Sequence, residues 1–496
     1  MTLLPELSQH YGKLKFFIDG QWVESQSTAI GESINPATGE VIAEVPTATV
    51  AEVNATIEAA AAAFDAWKDF PMRERSRMLF DLRGKFEEHF DKLVRVLIQD
   101  HGRTIGEATG SVRRVIENIE SACSTLYGLV RQNEHLDQLA NGIDEYLIWE
   151  PIGPFLIITP GNIPMHAWSS FVPYALAAGA PVIWSPSWHD PVAPNILAEV
   201  VEEVGFPAGV HNLIYVGKQV ELNTHILAHS DVRGVGFIGS TEVSKIIFEQ
   251  AGKFGKRTSL NGNGKNYTVI MPDADIDKAV EYLMRACFGL TGQRCLGTDN
   301  VVIIGDVYDE VKQKLTAAAS NLKLGYGLDE ETDMGPLATQ EGKEKILNWI
   351  DTGLQEGANI VLDGRDVEVE GYPNGYFLAP TILEDVHPDM KIAKEEAFGP
   401  VASLIRADNL EEIIEWINTK TNLGHSASIL TANGKMARRF IREVNVGNVG
   451  VNVGVPQPYS FFPLGSRRES HFGNAHSRID SMRLFMDQKT VTLRWV

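Results

Sequence analysis

The residues best suited to chemistry lie in one short run, Gly292-Gln293-Arg294-Cys295-Leu296-Gly297. A thiolate is a strong nucleophile, and a guanidinium beside it favours the ionised form. Arg294 is therefore expected to pull the Cys295 thiol toward reactivity. The flanking glycines let backbone N–H groups come close to a substrate. A lone cysteine is more commonly inert core, which is the reading for Cys123 and Cys287 in their apolar, helix-like surroundings. Upstream stands a second glycine-rich run, Ser259-Leu260-Asn261-Gly262-Asn263-Gly264-Lys265, which alone reads as a turn.

The elements that must position these residues are legible as patterns. Thr49 with Glu52 three residues on forms a capping box before an alanine-rich helix reaching Trp67. Leu79, Leu82, Phe86, Phe90, Leu93 and Leu97 recur at three- and four-residue steps, the stripe of a second helix with one buried face. From about residue 152, short apolar runs alternate with helix-length segments: 155–159, 181–184, 212–216 and 234–238, then 301–305, 359–362, 401–406, 426–430 and 446–451. Unbroken apolar strands between helices indicate parallel sheets covered on both faces. The predicted class is α/β, with two doubly wound parallel-sheet domains. Strands at 146–150 and 489–496 stand apart and are expected to pair into a small β arm for oligomer contacts.

At 496 residues the chain needs two or three cooperating cores. Lys+Arg 44 against Asp+Glu 65 leaves a net charge of -21, a field that repels nucleic acid and anionic membrane. An anionic ligand then needs specific arginines. Three scattered cysteines without a CxxC spacing support neither a disulfide framework nor a zinc site, so no metal is expected. The N-terminal stretch has no basic region followed by an apolar one, and no run is long enough to span a membrane; a cytoplasmic location is expected.

Glycine-rich turn, helix and Gly-Gln-x-Cys in this order resemble the aldehyde dehydrogenase superfamily. Further matches in order are Asn35-Pro36-Ala37-Thr38-Gly39, Pro160-Gly161-Asn162-Ile163-Pro164, Gly239-Ser240 and Glu395-Glu396-Ala397-Phe398-Gly399-Pro400. The resemblance implies a dinucleotide-binding unit from 1–128 and 152–256, a catalytic unit from 257–482, and an arm from 129–151 and 483–496. It implies that Cys295 attacks an aldehyde carbon while Asn162 and the Cys295 N–H steady the oxyanion. Gly239 and Ser240, at a strand-to-helix turn, would take dinucleotide phosphates. Glu396 would hold the nicotinamide ribose hydroxyls and Phe398 would pack by the ring. Thr159, Ser185 and Trp188 would also border the dinucleotide. Homodimers or homotetramers are implied.

Two departures from the family pattern matter. Most hydrolytic members carry a glutamate where Asn261 stands, and an amide cannot accept a proton at neutral pH. Asn261 followed by Gly264-Lys265-Asn266 is similar to the CoA-acylating branch typified by methylmalonate-semialdehyde dehydrogenase, as are residues 371–375 and 450–467. In that branch coenzyme A, not water, releases the acyl group, and positions matching Arg114 and Arg294 grip a substrate carboxylate. The second departure is Ser185-Pro186-Ser187-Trp188, which lacks the Lys and Glu that usually contact the adenosine ribose; NAD and NADP both stay open, and Trp188 could stack on adenine. The leading expectation is an acylating semialdehyde dehydrogenase. A hydrolytic dehydrogenase with another base, and an inactive binding relative, are the alternatives.

Overall fold

The computed structural model describes residues 3–131, 135–217, 220–474 and 479–495. Strands Phe155–Thr159, Val182–Pro186, His211–Leu213, Gly234–Ile238 and Arg257–Asn261 form a parallel sheet. Phe155, Leu156, Ile157, Val182, Ile183 and Trp184 are fully buried, as unbroken apolar runs require. The chain winds outward from Phe155–Thr159, then restarts on its other side with Gly234–Ile238. A crevice opens outside the strand ends where winding reverses. The turns that leave these two strands carry Asn162 and Gly239-Ser240.

The second sheet sets Thr381–Glu384, Val401–Ala407, Asn300–Ile304, Tyr267–Ile270, Ser426–Leu430 and Asn448–Val451 side by side and parallel. Asn359–Leu362 lies antiparallel at its edge. A boundary at residue 257 would open the second unit with Arg257–Asn261. That strand instead pairs with Gly234–Ile238 over five residues and ends the parallel part of the first sheet. The distant strand His471–Gly473 adds to it antiparallel, setting His471 opposite Asn261.

The helical stripe from Leu79 to Leu97 is split. Met72–Glu88 ends at His89, and Phe90–His101 restarts with a changed axis. Leu79, Leu82, Phe86, Leu93 and Leu97 all stay fully buried, because the bend lets both helices cover Ile105–Arg131. Periodicity reports the buried face and is blind to a one-residue break in the axis. The capping box forms as expected, with the Thr49 N–H donating to Glu52 at 2.7 Å.

Met486–Arg494 and Ile143–Pro151 pair antiparallel over nine residues, the arm expected from the two stray strands. His135–Ala140 adds a third, exposed strand without an alternating pattern to announce it. Residues 132–134 and Val496 of the arm lie outside the described residues. Among the described residues no helix is long and apolar enough to cross a membrane.

One buried arginine ties this scaffold together. Arg75 donates to the carbonyls of Trp67 at 3.3 Å and Phe70 at 2.8 Å, at and just after the C-terminal end of Val50–Trp67, and to Ala177 at 3.0 Å near the end of Pro164–Ala178. Arg75→Met keeps the apolar stem and orphans those oxygens. It is expected to cost about 3 kcal/mol, read as a lower urea midpoint; an unchanged midpoint refutes this role.

Candidate active site

The cysteine sits on a strained, buried loop. After helix Ile276–Leu283 the chain turns at Leu290 and Thr291, whose φ values of 55° and 53° are left-handed. Such a conformation in a threonine costs on the order of 1–3 kcal/mol, so it persists only where surroundings enforce it. The Leu290 N–H donates to Glu107 Oε1 at 2.6 Å, and Thr291 Oγ1 donates to the Gly335 carbonyl at 3.0 Å. Gly292, at φ 71°, lies so close to the next loop that a Cβ there would stand 2.0 Å from the Gly399 oxygen. That approach brings the cysteine loop against the loop of Glu396 and Phe398.

Cys295 is half-buried and lines a cavity of about 740 Å³ shared with Asn162, Glu107, Arg103, Arg114 and Arg294. The structure thus brings together the nucleophile, the expected oxyanion donor and both expected substrate arginines. Asn162 Nδ2 donates one N–H to the Gln293 carbonyl at 2.9 Å, which fixes the amide beside the cysteine loop. An amide nitrogen carries a second N–H for an oxyanion. Arg103 donates to the Asn162 carbonyl from beneath. Arg114 is already tethered, to the Pro458 carbonyl at 3.3 Å, Ser460 Oγ at 3.4 Å and Glu117 at 3.2 Å. It holds the loop that contributes Gln457 and Leu464 to the cavity.

The electrostatics correct one expectation. Arg294 does draw the Cys295 thiol toward ionisation, yet the net displacement is upward, to about 12. Burial is the largest cause, and the Glu396 carboxylate adds to it. Arg294 and the N–H groups of Cys295 and Leu296 pull the other way and lose. Glu396 itself is raised to about 8, by burial and then by Asp299, against hydrogen bonds from Asn263 and Gly264. Asp299 pairs with buried Lys265 at 3.3 Å. Cys123 and Cys287 are buried with raised thiols and lie outside the cavity, as inert core should.

The remaining expected residues are scattered around the crevice. Ser240 caps helix Thr241–Lys253, accepting from the Val243 N–H at 3.2 Å. The Gly239 N–H is spent on the Asn261 carbonyl at 3.0 Å, and the Thr241 N–H on Asn263 Oδ1 at 2.7 Å. Phe398 holds a left-handed φ of 55° on the Glu396 loop. Thr159 and Ser185 are buried strand ends, and Thr159 Oγ1 accepts from Trp184 at 3.0 Å. Trp188 packs over Gly31 and beside His189, a placement that its sequence neighbours do not signal. Asn261 is buried and does not line the cysteine cavity; its Oδ1 lies 3.2 Å from His471 Nδ1.

Sequence reasoning misses Arg103, Glu107 and the work of Asn266. Thr104 and Glu107 have capping-box spacing, and Glu107 Oε2 does accept from the Thr104 N–H at 3.1 Å. Its second oxygen, on Leu290, depends on a fold contact. Asn266 Nδ2 donates to the carbonyls of Cys295 at 2.9 Å and Gly297 at 2.7 Å, and its Oδ1 accepts from the Ser426 N–H at 3.0 Å.

A nucleophilic cysteine beside a cavity, carried between two wound parallel sheets, defines an α/β oxidoreductase of the dinucleotide-dependent kind. The model of the aldehyde dehydrogenase family matches residues 22–491, and the chain belongs to that family. It is 38% identical over 484 residues to malonate-semialdehyde dehydrogenase 1 of Geobacillus thermodenitrificans, covering 97% of this chain and 99% of the relative. A crystal structure of methylmalonate-semialdehyde dehydrogenase from Oceanimonas doudoroffii superposes with a TM-score of 0.94 at 34% identity, covering 98% of this chain and 99% of that one. An aldehyde dehydrogenase from Bacillus cereus, solved as an NAD+ complex, gives 0.92 at 29% identity, covering 97% and 96%.

The charge balance at the thiol predicts its reactivity. In the ligand-free protein, iodoacetamide should label Cys295 slowly at neutral pH and faster as pH rises, because a raised thiol ionises late. Glu396→Gln removes the anion that helps raise it, and should speed labelling several-fold near pH 9.5, where Glu396 is ionised, and little near pH 7, where it is already neutral. Labelling unaffected by that change would show that Glu396 does not act on the sulfur.

Proposed function

We propose that this aldehyde dehydrogenase oxidises a short semialdehyde bearing a terminal carboxylate, passing hydride to NAD and the acyl group to coenzyme A. The observation that carries the substrate class is Arg294. Its guanidinium lines the cavity of Cys295, is desolvated, and makes no hydrogen bond or ion pair with the described residues. A planar guanidinium with unmet donors favours an anion that takes two of them at once. Four arginines, Arg103, Arg114, Arg285 and Arg294, face Glu107 and Asp333 in a cavity that is locally cationic, within a chain of net charge -21. The names of the relatives, semialdehyde dehydrogenases, agree with this class.

A dinucleotide suits the residues present. Glu396 is desolvated and uses one acceptor site on each oxygen, leaving sites for two hydroxyls. Ser240 and the positive end of its helix dipole suit a phosphate although the Thr241 and Val243 N–H groups are spent within the protein, Phe398 lies beside the ring position, and Thr159, Ser185 and Trp188 take the adenosine side. Residues 185–188 offer no cation for a 2'-phosphate, which favours NAD over NADP. When bound, the oxidised nicotinamide supplies the acceptor for the hydride.

The chain's own residues do the rest. Cys295 Sγ adds to the aldehyde carbon, and the Asn162 amide with the Cys295 N–H stabilises the oxyanion. Hydride loss leaves a thioester on Cys295. Asn261 cannot deprotonate water, so a soft thiol nucleophile is the better acyl acceptor. The second reading, hydrolysis, has one observation in its favour: His471 is a titratable group within 3.2 Å of Asn261. The exposed three-stranded arm is the surface assigned to assembly as a dimer or tetramer.

NADH formation from malonate semialdehyde should show a single burst without coenzyme A and sustained turnover with it; equal steady rates in both would remove the acylating reading. Arg294→Gln should lower kcat/KM for the semialdehyde at least about tenfold more than for uncharged propanal. Comparing the two substrates cancels the effect of Arg294 on the thiol. An equal loss for both would remove the carboxylate contact.

A further inference from the structure

Asn263 stands where two parts of the expected dinucleotide site meet. Its Oδ1 accepts from the Thr241 N–H at 2.7 Å, the first N–H of helix Thr241–Lys253. Its Nδ2 donates to Glu396 Oε2. Its backbone is equally fixed: the N–H donates to Thr241 Oγ1 at 3.0 Å, and the carbonyl accepts from Ser470 Oγ at 2.6 Å. The orientation of the amide is unambiguous on chemical grounds. Exchanging its ends would turn N–H toward N–H at Thr241 and oxygen toward carboxylate at Glu396.

We propose that Asn263 is a positioning residue for the dinucleotide site, holding the Glu396 carboxylate in line with the start of helix Thr241–Lys253. The inference rests on the cofactor reading above. The Asn263 amide occupies one acceptor site on Oε2, and the Gly264 N–H, at 3.3 Å, occupies one on Oε1. Each oxygen keeps a lone pair directed elsewhere, so the clamp fixes the carboxylate without filling it. A desolvated carboxylate needs such donors to stay ionised. The charged groups that act on Glu396 are Asp299, which opposes its ionisation, and Lys265, which favours it; Glu396 in turn acts on the Cys295 thiol. Losing the Asn263 donor therefore weakens the acceptor and frees its rotamer together.

The test uses the full-length protein, NAD as probe and equilibrium dialysis from pH 6.5 to 9.5. Wild-type affinity should tighten as pH rises through the ionisation of Glu396. Asn263→Ala should weaken NAD about tenfold near neutral pH, with the rise displaced to higher pH, so that the deficit shrinks under alkaline conditions. Asn263→Asp retains an acceptor for Thr241, loses the donor and adds a second carboxylate, and should bind more weakly than the alanine variant. A readout without nucleotide accompanies these: as Glu396 protonates more readily in Asn263→Ala, iodoacetamide should label Cys295 faster than in wild type. NAD affinity and labelling both unchanged would overturn the proposal, as would a deficit equal at every pH, which marks mere loosening. Failure of wild type to bind NAD with labelling still accelerated would remove the cofactor reading and leave the Asn263 clamp on Glu396 standing.

Discussion

The structure depends on how a buried, irregular loop is kept satisfied. A cysteine nucleophile must lie beside a cavity with its own N–H free for an oxyanion, so its loop cannot join a helix or a sheet. Backbone carbonyls that give up regular pairing inside a protein need other donors. Asn266 supplies them, bonding the carbonyls of Cys295 and Gly297 through one nitrogen while its oxygen receives the strand start at Ser426. Its own N–H donates to Asp299 at 2.9 Å, and Asp299 pairs with Lys265. One amide thus anchors the nucleophile to the second sheet at the start of strands Tyr267–Ile270 and Ser426–Leu430. The left-handed pair Leu290 and Thr291, held from the other side by Glu107 and the Gly335 carbonyl, completes the clamp.

This explains which parts of the molecule are legible in sequence. Both sheets announce themselves through apolar runs, since a strand covered on two faces has no other composition open to it. The cysteine loop is visible through Gly292, where the approach of the Gly399 oxygen leaves no room for a side chain. Glu107 shows only half its role, because a capping box is local while its bond to Leu290 joins segments far apart in the chain. Arg103, buried beneath Asn162, is preceded by nothing that separates it from a surface arginine. The break at His89 is hidden for the opposite reason: the buried stripe continues across it. Trp188 shows the limit of reasoning by missing residues, since its packing on Gly31 depends on a strand remote in sequence.

Family membership supplies the reaction class, and the departures in this chain supply its character. Asn261 is an amide where the family resemblance leads one to expect a carboxylate, and it is buried opposite His471 on an added antiparallel strand. The carboxylate expected of a hydrolytic site is therefore absent at a position where the backbone is firmly fixed, so the change alters chemistry without loosening the fold. Around the cavity, positive charge collects from separate elements: Arg103 from the loop before helix Ile105–Arg131, Arg114 from that helix, and Arg285 and Arg294 from the segment leading to the cysteine. Assembled against the overall charge of the chain, they set a positive field that acts at short range, where screening is weakest.

A conflict between two acids lies beside this cavity. Cys295 reacts as an anion, and Glu396, on the loop packed against the cysteine loop, acts on it by charge, yet burial raises both and each anion disfavours the other. The balance of these effects favours the protonated thiol, mainly through desolvation. Donors on Glu396 stabilise its anion and work against the thiolate, whereas positive charge near the sulfur shifts the balance toward it. Arg294 alone cannot do so, although it lies next in sequence to the cysteine, because one desolvated cation does not outweigh burial and a nearby carboxylate together. Reactivity in this architecture is set by burial and by the charges around the sulfur together, and the Gly-Gln-x-Cys sequence marks only where it is expressed.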